Sequence, residues 1–351
     1  MASPKHYKSA LGSCRLGHCS EQASAILPAV RKKLDKAGAL TVSIVGAGKL
    51  GTALALTLPS AGCEVKFIAT RRKNRSGPST KALARKLKAR LVQLGKEQLD
   101  TDLVWVTVPD DAIAQVATRL ANAQQWKGRI VVHSSGALTS DELAPLRAKG
   151  AQVASVHPMM TFVLRSLPEM AGVAFAVEGD SIAVRAATRI VQRLGGYAFP
   201  IRKQDKVLYH AFGSFASPLV IALMASLEQV AQAAGIKQRD IKRVMLPLLL
   251  QTLRNYLYTD AASAFSGPLV RGDVATVRKH LAALKKVPAA REVYVGLARA
   301  AMMHLPVRNR KALRAELSRA ALIGSMKDSI EIVGDIISPA NEEKEWEVLR
   351  D

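Results

Sequence analysis

The sequence is poor in cysteine, in aromatic residues and in acids. Three cysteines, Cys14, Cys19 and Cys63, stand in 351 residues. That number makes no disulfide framework and points to a reducing compartment. Cys14, His18 and Cys19 lie close together, but no second ligand pair accompanies them, so no metal site is expected. Aromatics make up 5% of the chain, so its cores must be built mainly from Ala, Leu, Val and Ile. No run reaches the ~18 uninterrupted apolar residues of a membrane span. The richest run, Phe215 to Leu227, is interrupted by Ser217 and Pro218. The N-terminus has no hydrophobic signal core. A cytoplasmic protein is expected, with an organelle transit peptide as the other reading of the basic, acid-poor start.

What is present suits a folded protein of about two domains, with 49% hydrophobic and 23% charged residues. Lysine and arginine number 51 against 28 acids, a formal net charge of +23. Ten basic residues and no acid fall between Lys66 and Arg90. This stretch admits two readings: a nucleic-acid-binding face, or a solvated basic face with a local anion site. No interleaved aromatics and no helix-turn-helix or zinc-finger spacing accompany it, which favours the second.

One stretch organises the chain: Leu40-Thr-Val-Ser-Ile-Val-Gly-Ala-Gly-Lys-Leu-Gly51. A β-branched run stops at Gly46, glycines recur at Gly48 and Gly51, and an Ala/Leu-rich helical pattern follows. This is G-x-G-x-x-G between a strand and a helix, the dinucleotide-binding arrangement. Gly46 permits the tight turn, Gly48 lets a pyrophosphate approach the backbone, and Gly51 lets helix and strand close up. Gly46, Ala47, Gly48, Lys49, Leu50 and Gly51 would then cradle the pyrophosphate at the positive end of the helix dipole.

The predicted elements continue in βα alternation. Strands are expected over about 41–45, 64–70, 153–156, 173–177 and 197–201, in Leu103–Ile113, ending in Pro-Asp-Asp, and in Arg129–Gly136, ending in hydroxyls and a glycine, with a helix over about 50–60. The whole predicts a doubly wound, Rossmann-like parallel sheet of seven or eight strands. The second strand ends Ala69-Thr70-Arg71-Arg72-Lys73-Asn74-Arg75-Ser76, where NAD enzymes place an acid for the ribose 2′-hydroxyl. A carboxylate would repel a 2′-phosphate, whereas Thr70, Arg71 and Arg72 attract one. The expected cofactor is therefore NADP(H). Val108, Pro109 and Asp110 close a strand at the carboxyl edge of the sheet, beside the nucleotide. Asp110 or Asp111 equally suits capping the next helix.

After Ile201 the pattern turns helical. A nearly unbroken helix is expected from Asp205 to Ala234, kinked at Pro218, with others over about 239–258, 274–284, 289–303 and 309–322. The predicted organisation is an N-terminal extension over 1–38, a nucleotide domain over 39–202, an all-helical C-terminal domain over 203–325 and a tail over 326–351.

The succession G-A-G-K-L-G, V-P-D-D-A-I, H-S-S-G-A-L, V-H-P-M-M-T-F, Y-H-A-F and G-P-L-V-R-G-D resembles a bacterial family that joins a Rossmann-like domain to a helical domain of unknown function. That family is similar to pyrroline-5-carboxylate reductase and deazaflavin-dependent NADP reductase, within the 6-phosphogluconate dehydrogenase-like superfamily. The resemblance covers about residues 39–305. It implies a homodimer formed through the helical domain, and a long helix that supplies catalytic or substrate-binding side chains. Pro218 stands where family members commonly carry asparagine.

The expected chemistry is hydride transfer to or from a small, anionic carbonyl or imine, which needs a proton donor. Lys206, His210, Ser214 and Ser217 share one helix face by their spacing. His210 is the expected general acid, since imidazole titrates near neutral pH. Lys206 would orient the substrate or bind its carboxylate. Each has a plainer alternative, Lys206 in solvent and His210 packed in an interface. Ser134, Ser135, His157, Ser214 and Arg271 are the expected substrate contacts, although capping serines, a structural histidine bond and an Arg271–Asp273 pair would also explain four of them. No membrane partner is expected. A non-catalytic dinucleotide sensor, or a nucleic-acid-associated protein using the basic face, are the alternatives.

Overall fold

The computed structural model describes residues 40–71, 77–162 and 170–319. The predicted extension over 1–38 and tail over 326–351 lie outside them. The described chain forms two compact units, dividing after Phe215.

The first unit is an eight-stranded sheet in the order β3-β2-β1-β4-β5-β6-β7-β8. Its strands are β1 Leu40–Val45, β2 Cys63–Thr70, β3 Arg90–Gln93, β4 Leu103–Val106, β5 Ile130–His133, β6 Gln152–Pro158, β7 Ala174–Gly179 and β8 Tyr197–Pro200. β1 lies between β2 and β4, and both pairings are parallel. The chain order therefore reverses at β1, and the crevice beyond the carboxyl ends of β1 and β4 is where open α/β sheets bind ligands. Central strands such as Leu103–Val106 are buried at every residue, as a parallel strand covered on both faces must be. Two apolar clusters fill those faces, one around Ile44, Leu54 and Trp105, the other around Val104, Val116 and Trp126.

The sheet differs from the expected one in two respects. It contains β3, for which Arg90–Gln93 gives little signal, its pattern running exposed, intermediate, buried, intermediate. It is also mixed, because β7 pairs antiparallel with β6 while β8 returns parallel to β7.

The helices of this unit that bear on the site are α1 Lys49–Thr57, α2 Pro78–Lys86, α3 Asp110–Ala121, α4 Ala144–Ala148, α5 Ser181–Arg193 and α6 Lys206–Ala216. The long helix expected over 205–234 is two helices. α6 stops at Ala216, Ser217 takes φ −132° and ψ −81°, and Pro218 begins α7 Pro218–Ala233. Proline lacks the N–H that a continuing helix would bond, but it suits a first helical position. The predicted kink is thus a break one residue earlier.

The second unit is helical: α7, then α8 Gln238–Tyr258, α9 Ala261–Ala264, α10 Pro268–Arg271, α11 Val274–Ala283, α12 Pro288–His304 and α13 Arg310–Arg319. Its core gathers Val277, Leu281, Val295, Met302, Leu313 and Leu317. Much of α7 and α8 is apolar and uncovered within the chain, with Leu248 72%, Leu257 74% and Tyr258 85% exposed. By length and hydropathy alone, residues 203–233 would be apolar enough to cross a membrane, and none of their most apolar window is buried. The break at Ser217 interrupts that stretch.

Candidate functional site

The glycine loop is held by its neighbours in the sheet. Gly46 adopts φ +100°, and a Cβ there would lie 2.9 Å from the Thr107 carbonyl oxygen. The Gly46 N–H donates to the Ala69 carbonyl at 3.0 Å, tying the loop to the end of β2. The Thr107 hydroxyl donates to the Gly46 carbonyl at 2.7 Å. Thr107 is a loop-positioning residue that sequence reasoning passed over, because its partner lies 61 residues away. Gly51 is under the strictest demand, since a Cβ would stand 2.0 Å from the Gly46 carbonyl oxygen. Gly48 has open space where its Cβ would be. It is also the N-cap of α1 and contributes no side-chain cap, so that helix end keeps donors to offer an anion.

Beside this loop lies a cavity of about 440 Å³, walled by Val45, Gly46, Ala47, Ala69, Thr70, Arg71, Leu94, Val108, Pro109 and one face of α3. Six of the sequence-predicted nucleotide residues line it together: Gly46, Ala47, Thr70, Arg71, Val108 and Pro109. Arg72 lies outside the described residues. Lys49 and Gly48 are exposed, while Leu50 packs on the apolar core beneath.

A second group of side chains meets at the carboxyl ends of β5 and β6. Asp110 does not cap α3; Pro109 is its N-cap. The Asp110 carboxylate instead accepts a 2.7 Å hydrogen bond from the Ser135 hydroxyl, which in turn accepts from the Leu138 N–H at 2.9 Å. Ser134 is spent on the core, accepting from the Trp105 indole N–H at 2.7 Å. The Lys206 ammonium, fully buried, donates to the Ser135 carbonyl at 3.1 Å and to the Ser155 hydroxyl at 2.8 Å. It thus bolts the start of α6 to the ends of β5 and β6. Burial lowers its pKa from the usual lysine range, opposed by the charges of Glu178 and Asp110.

His157 and His210 approach each other over Gly136. A Cβ on Gly136 would lie 2.7 Å from His210 Cδ2 and 2.8 Å from His157 Nε2, so glycine makes room for both rings. Their centroids are 6.3 Å apart in an edge-on arrangement. His157 Nδ1 shares a 2.8 Å hydrogen bond with the Tyr209 hydroxyl. Tyr209 is a second member that the sequence reading missed. Burial pushes its pKa to about 12, so it keeps its proton. His210 is exposed, which leaves its ring open to a bound molecule. Ser214 is a helix-surface residue whose hydroxyl donates back to the His210 carbonyl at 3.2 Å.

Arg271 ends α10 in the second unit and is exposed. Its neighbour Asp273 caps α11, accepting from the Thr276 N–H at 2.9 Å, as the capping alternative has it. Among the described residues no group of three or more metal-ligating side chains is present.

Burial drives both His133 and His157 down from about 6.5 to about 4. For His133 the bonding agrees. Its Nε2 lies 2.9 Å from the Thr139 carbonyl, which can only accept, and its Nδ1 accepts from the Ser135 N–H at 3.1 Å. The ring is therefore neutral with the proton on Nε2. Between those pH values the unfolded chain binds these protons and the folded chain does not, so stability falls as pH falls. A shift of this size at one buried site is worth about 3 kcal/mol. Thermal denaturation is expected to show the Tm dropping steadily from pH 6.5 to pH 4. His133→Asn should flatten that slope, and an unchanged slope would mean that His133 does not carry it.

With that geometry in place, the comparisons define the class. Residues 27–158 match a Rossmann-like domain. Residues 173–301 match a domain of unknown function, DUF2520. The chain is thus a Rossmann-like domain followed by a DUF2520 domain. The second match begins with β7, where the antiparallel pairing enters the sheet.

Among solved structures the chain is similar to a protein of Bacteroides fragilis described as a candidate NADP oxidoreductase. Identity is 20%, TM-score 0.62, with 76% of this chain and 98% of that chain covered. An imine reductase from Myxococcus stipitatus, solved with NADP+, aligns at 18% identity and TM-score 0.57, over 80% of this chain and 99% of that one. A pyrroline-5-carboxylate reductase from Coxiella burnetii aligns at 16% and 0.51, over 81% and 98%. At these identities the likeness is one of fold. No curated protein matches the sequence significantly.

Proposed function

We propose that this protein is an NADP(H)-dependent oxidoreductase that transfers a hydride to or from a small anionic carbonyl or imine. The observation that carries the proposal is the cavity between the glycine loop and α3, with Arg71 on its wall where an NAD enzyme would carry an acid. The residues present fit the cofactor. Gly48 leaves the approach to the α1 N-terminus open, and Arg71 supplies a planar guanidinium for a phosphate. The related structures solved with NADP+ support the same cofactor.

When bound, the nicotinamide supplies or accepts the hydride. The chain's own side chains do the rest. His210, exposed beside His157 and Gly136, holds the proton that the developing alkoxide or amine takes up. Lys206 serves as a positioning residue, because its ammonium already has two oxygen acceptors and no exposed surface. Tyr209 fixes the His157 ring, and Ser135 holds Asp110 at the mouth of the crevice. The uncovered apolar faces of α7 and α8 support a homodimer formed through the helical unit.

Paired glycine variants test the nucleotide site. Gly48→Ala adds a methyl group to open space, so the Tm should hold while NADPH binding weakens. Gly51→Ala should lower the Tm itself, because its methyl meets backbone at 2.0 Å. NADPH binding that survives Gly48→Ala unchanged would count against pyrophosphate contact at the loop. Steady-state oxidation of NADPH with a panel of 2-oxo acids and cyclic imines then tests the reaction class.

A further inference from the structure

The nucleotide cavity is also lined by an exposed arginine, Arg119, to which the proposed chemistry gives no role. Gln115, Val116 and Arg119 line the cavity from α3, and their spacing puts them on one helix face. The stem of Arg119 lies across Gly95, which has φ +77°; a Cβ there would stand 2.7 Å from Arg119 Cγ and 3.0 Å from its Cδ. Glycine at that position therefore leaves a channel for the arginine. A second recess of about 500 Å³ continues beyond, and Arg119 and Gln115 line both spaces. Among the described residues no carboxylate pairs with Arg119. Its position in the last turn of α3 reads from sequence as a helix-end charge, which hides any other use.

We infer that Arg119 binds the purine base of the dinucleotide. The inference rests on the NADP(H) reading above. The groups that line the cavity support it: Gly46 and Ala47 from the glycine loop, Thr70 and Arg71 from the end of β2, and Arg119 from the last turn of α3. Arg119 lies nine residues after Asp110, roughly 13 Å down the helix at 1.5 Å per residue. Gly46 lies against Thr107 and Val108, beside the start of that helix, so Arg119 meets the nucleotide away from the pyrophosphate. The same cavity is lined by apolar side chains, Val45, Ala69, Leu94 and Val116, which suits a flat ring rather than a phosphate. A guanidinium stacks on aromatic faces and donates to ring nitrogens.

The test uses Arg119→Met, which keeps the stem packed across Gly95 and removes the guanidinium. Binding of four probes is measured: NADPH, NADH, adenosine 2′,5′-bisphosphate and reduced nicotinamide mononucleotide. The three that carry adenine should weaken together by roughly tenfold, as the loss of a stacked partner would give. The NADPH-to-NADH affinity ratio and the mononucleotide should be unchanged. Weakening of NADPH and the bisphosphate alone would assign Arg119 to the 2′-phosphate and overturn the inference. Four unchanged affinities would overturn it as well. A wild-type protein that binds neither dinucleotide would defeat the cofactor reading itself, and the inference with it.

Discussion

Replacing His210 with alanine is expected to lower kcat by about two orders of magnitude, the usual contribution of a positioned general acid. Affinity for NADPH should survive, because His210 stands at the ends of β5 and β6 rather than in the cavity lined by Arg71. His210 is exposed and its ring is admitted by Gly136, so the imidazole can meet a substrate without rearrangement. The buried neighbours are poorer donors. Tyr209 holds its proton up to about pH 12, and His157 stays neutral down to about pH 4. Single-turnover oxidation of NADPH separates the steps. A variant with normal turnover would remove His210 as the acid, and the role would pass to the Tyr209–His157 pair.

The second large effect concerns the choice of cofactor. Arg71→Ala should raise the Kd for NADPH by about 10- to 100-fold, from the ~1.5–3 kcal/mol of a charge-assisted contact. NADH, lacking the 2′-phosphate, should lose little. Arg71 lines the cavity at the end of β2, where the chain carries no acid from Lys66 to Arg90. Equal losses for both cofactors would show that Arg71 serves the nucleotide generally and not its phosphate.

Those residues were legible because their signal is local. From Leu40 to Gly51 the strand, turn and helix follow one another within a dozen residues, and each glycine meets a separate demand. The same holds for Asp273, whose helix begins at the next residue. What sequence could not reach depends on distant partners. Thr107 shows its use only once β4 lies beside β1. Tyr209 gains a role through His157, 52 residues earlier. β3 is a four-residue edge strand in a charged stretch, too short and too exposed for an alternating pattern. The reversed direction of β7 is seen only in its pairing with β6, which local propensity does not encode. Lys206 was legible as a member of the site by its helix spacing, but its burial against Ser135 and Ser155 gives it a positioning role rather than an open face.

The claim on which the rest depends is that the cavity beside the glycine loop holds a 2′-phosphorylated dinucleotide. It is tested most directly by titrating the purified full-length protein with NADPH and with NADH at physiological salt, following nicotinamide fluorescence. Micromolar binding of NADPH with much weaker binding of NADH is the expected result. Binding of neither would contradict the account and reduce the glycine motif to a structural turn.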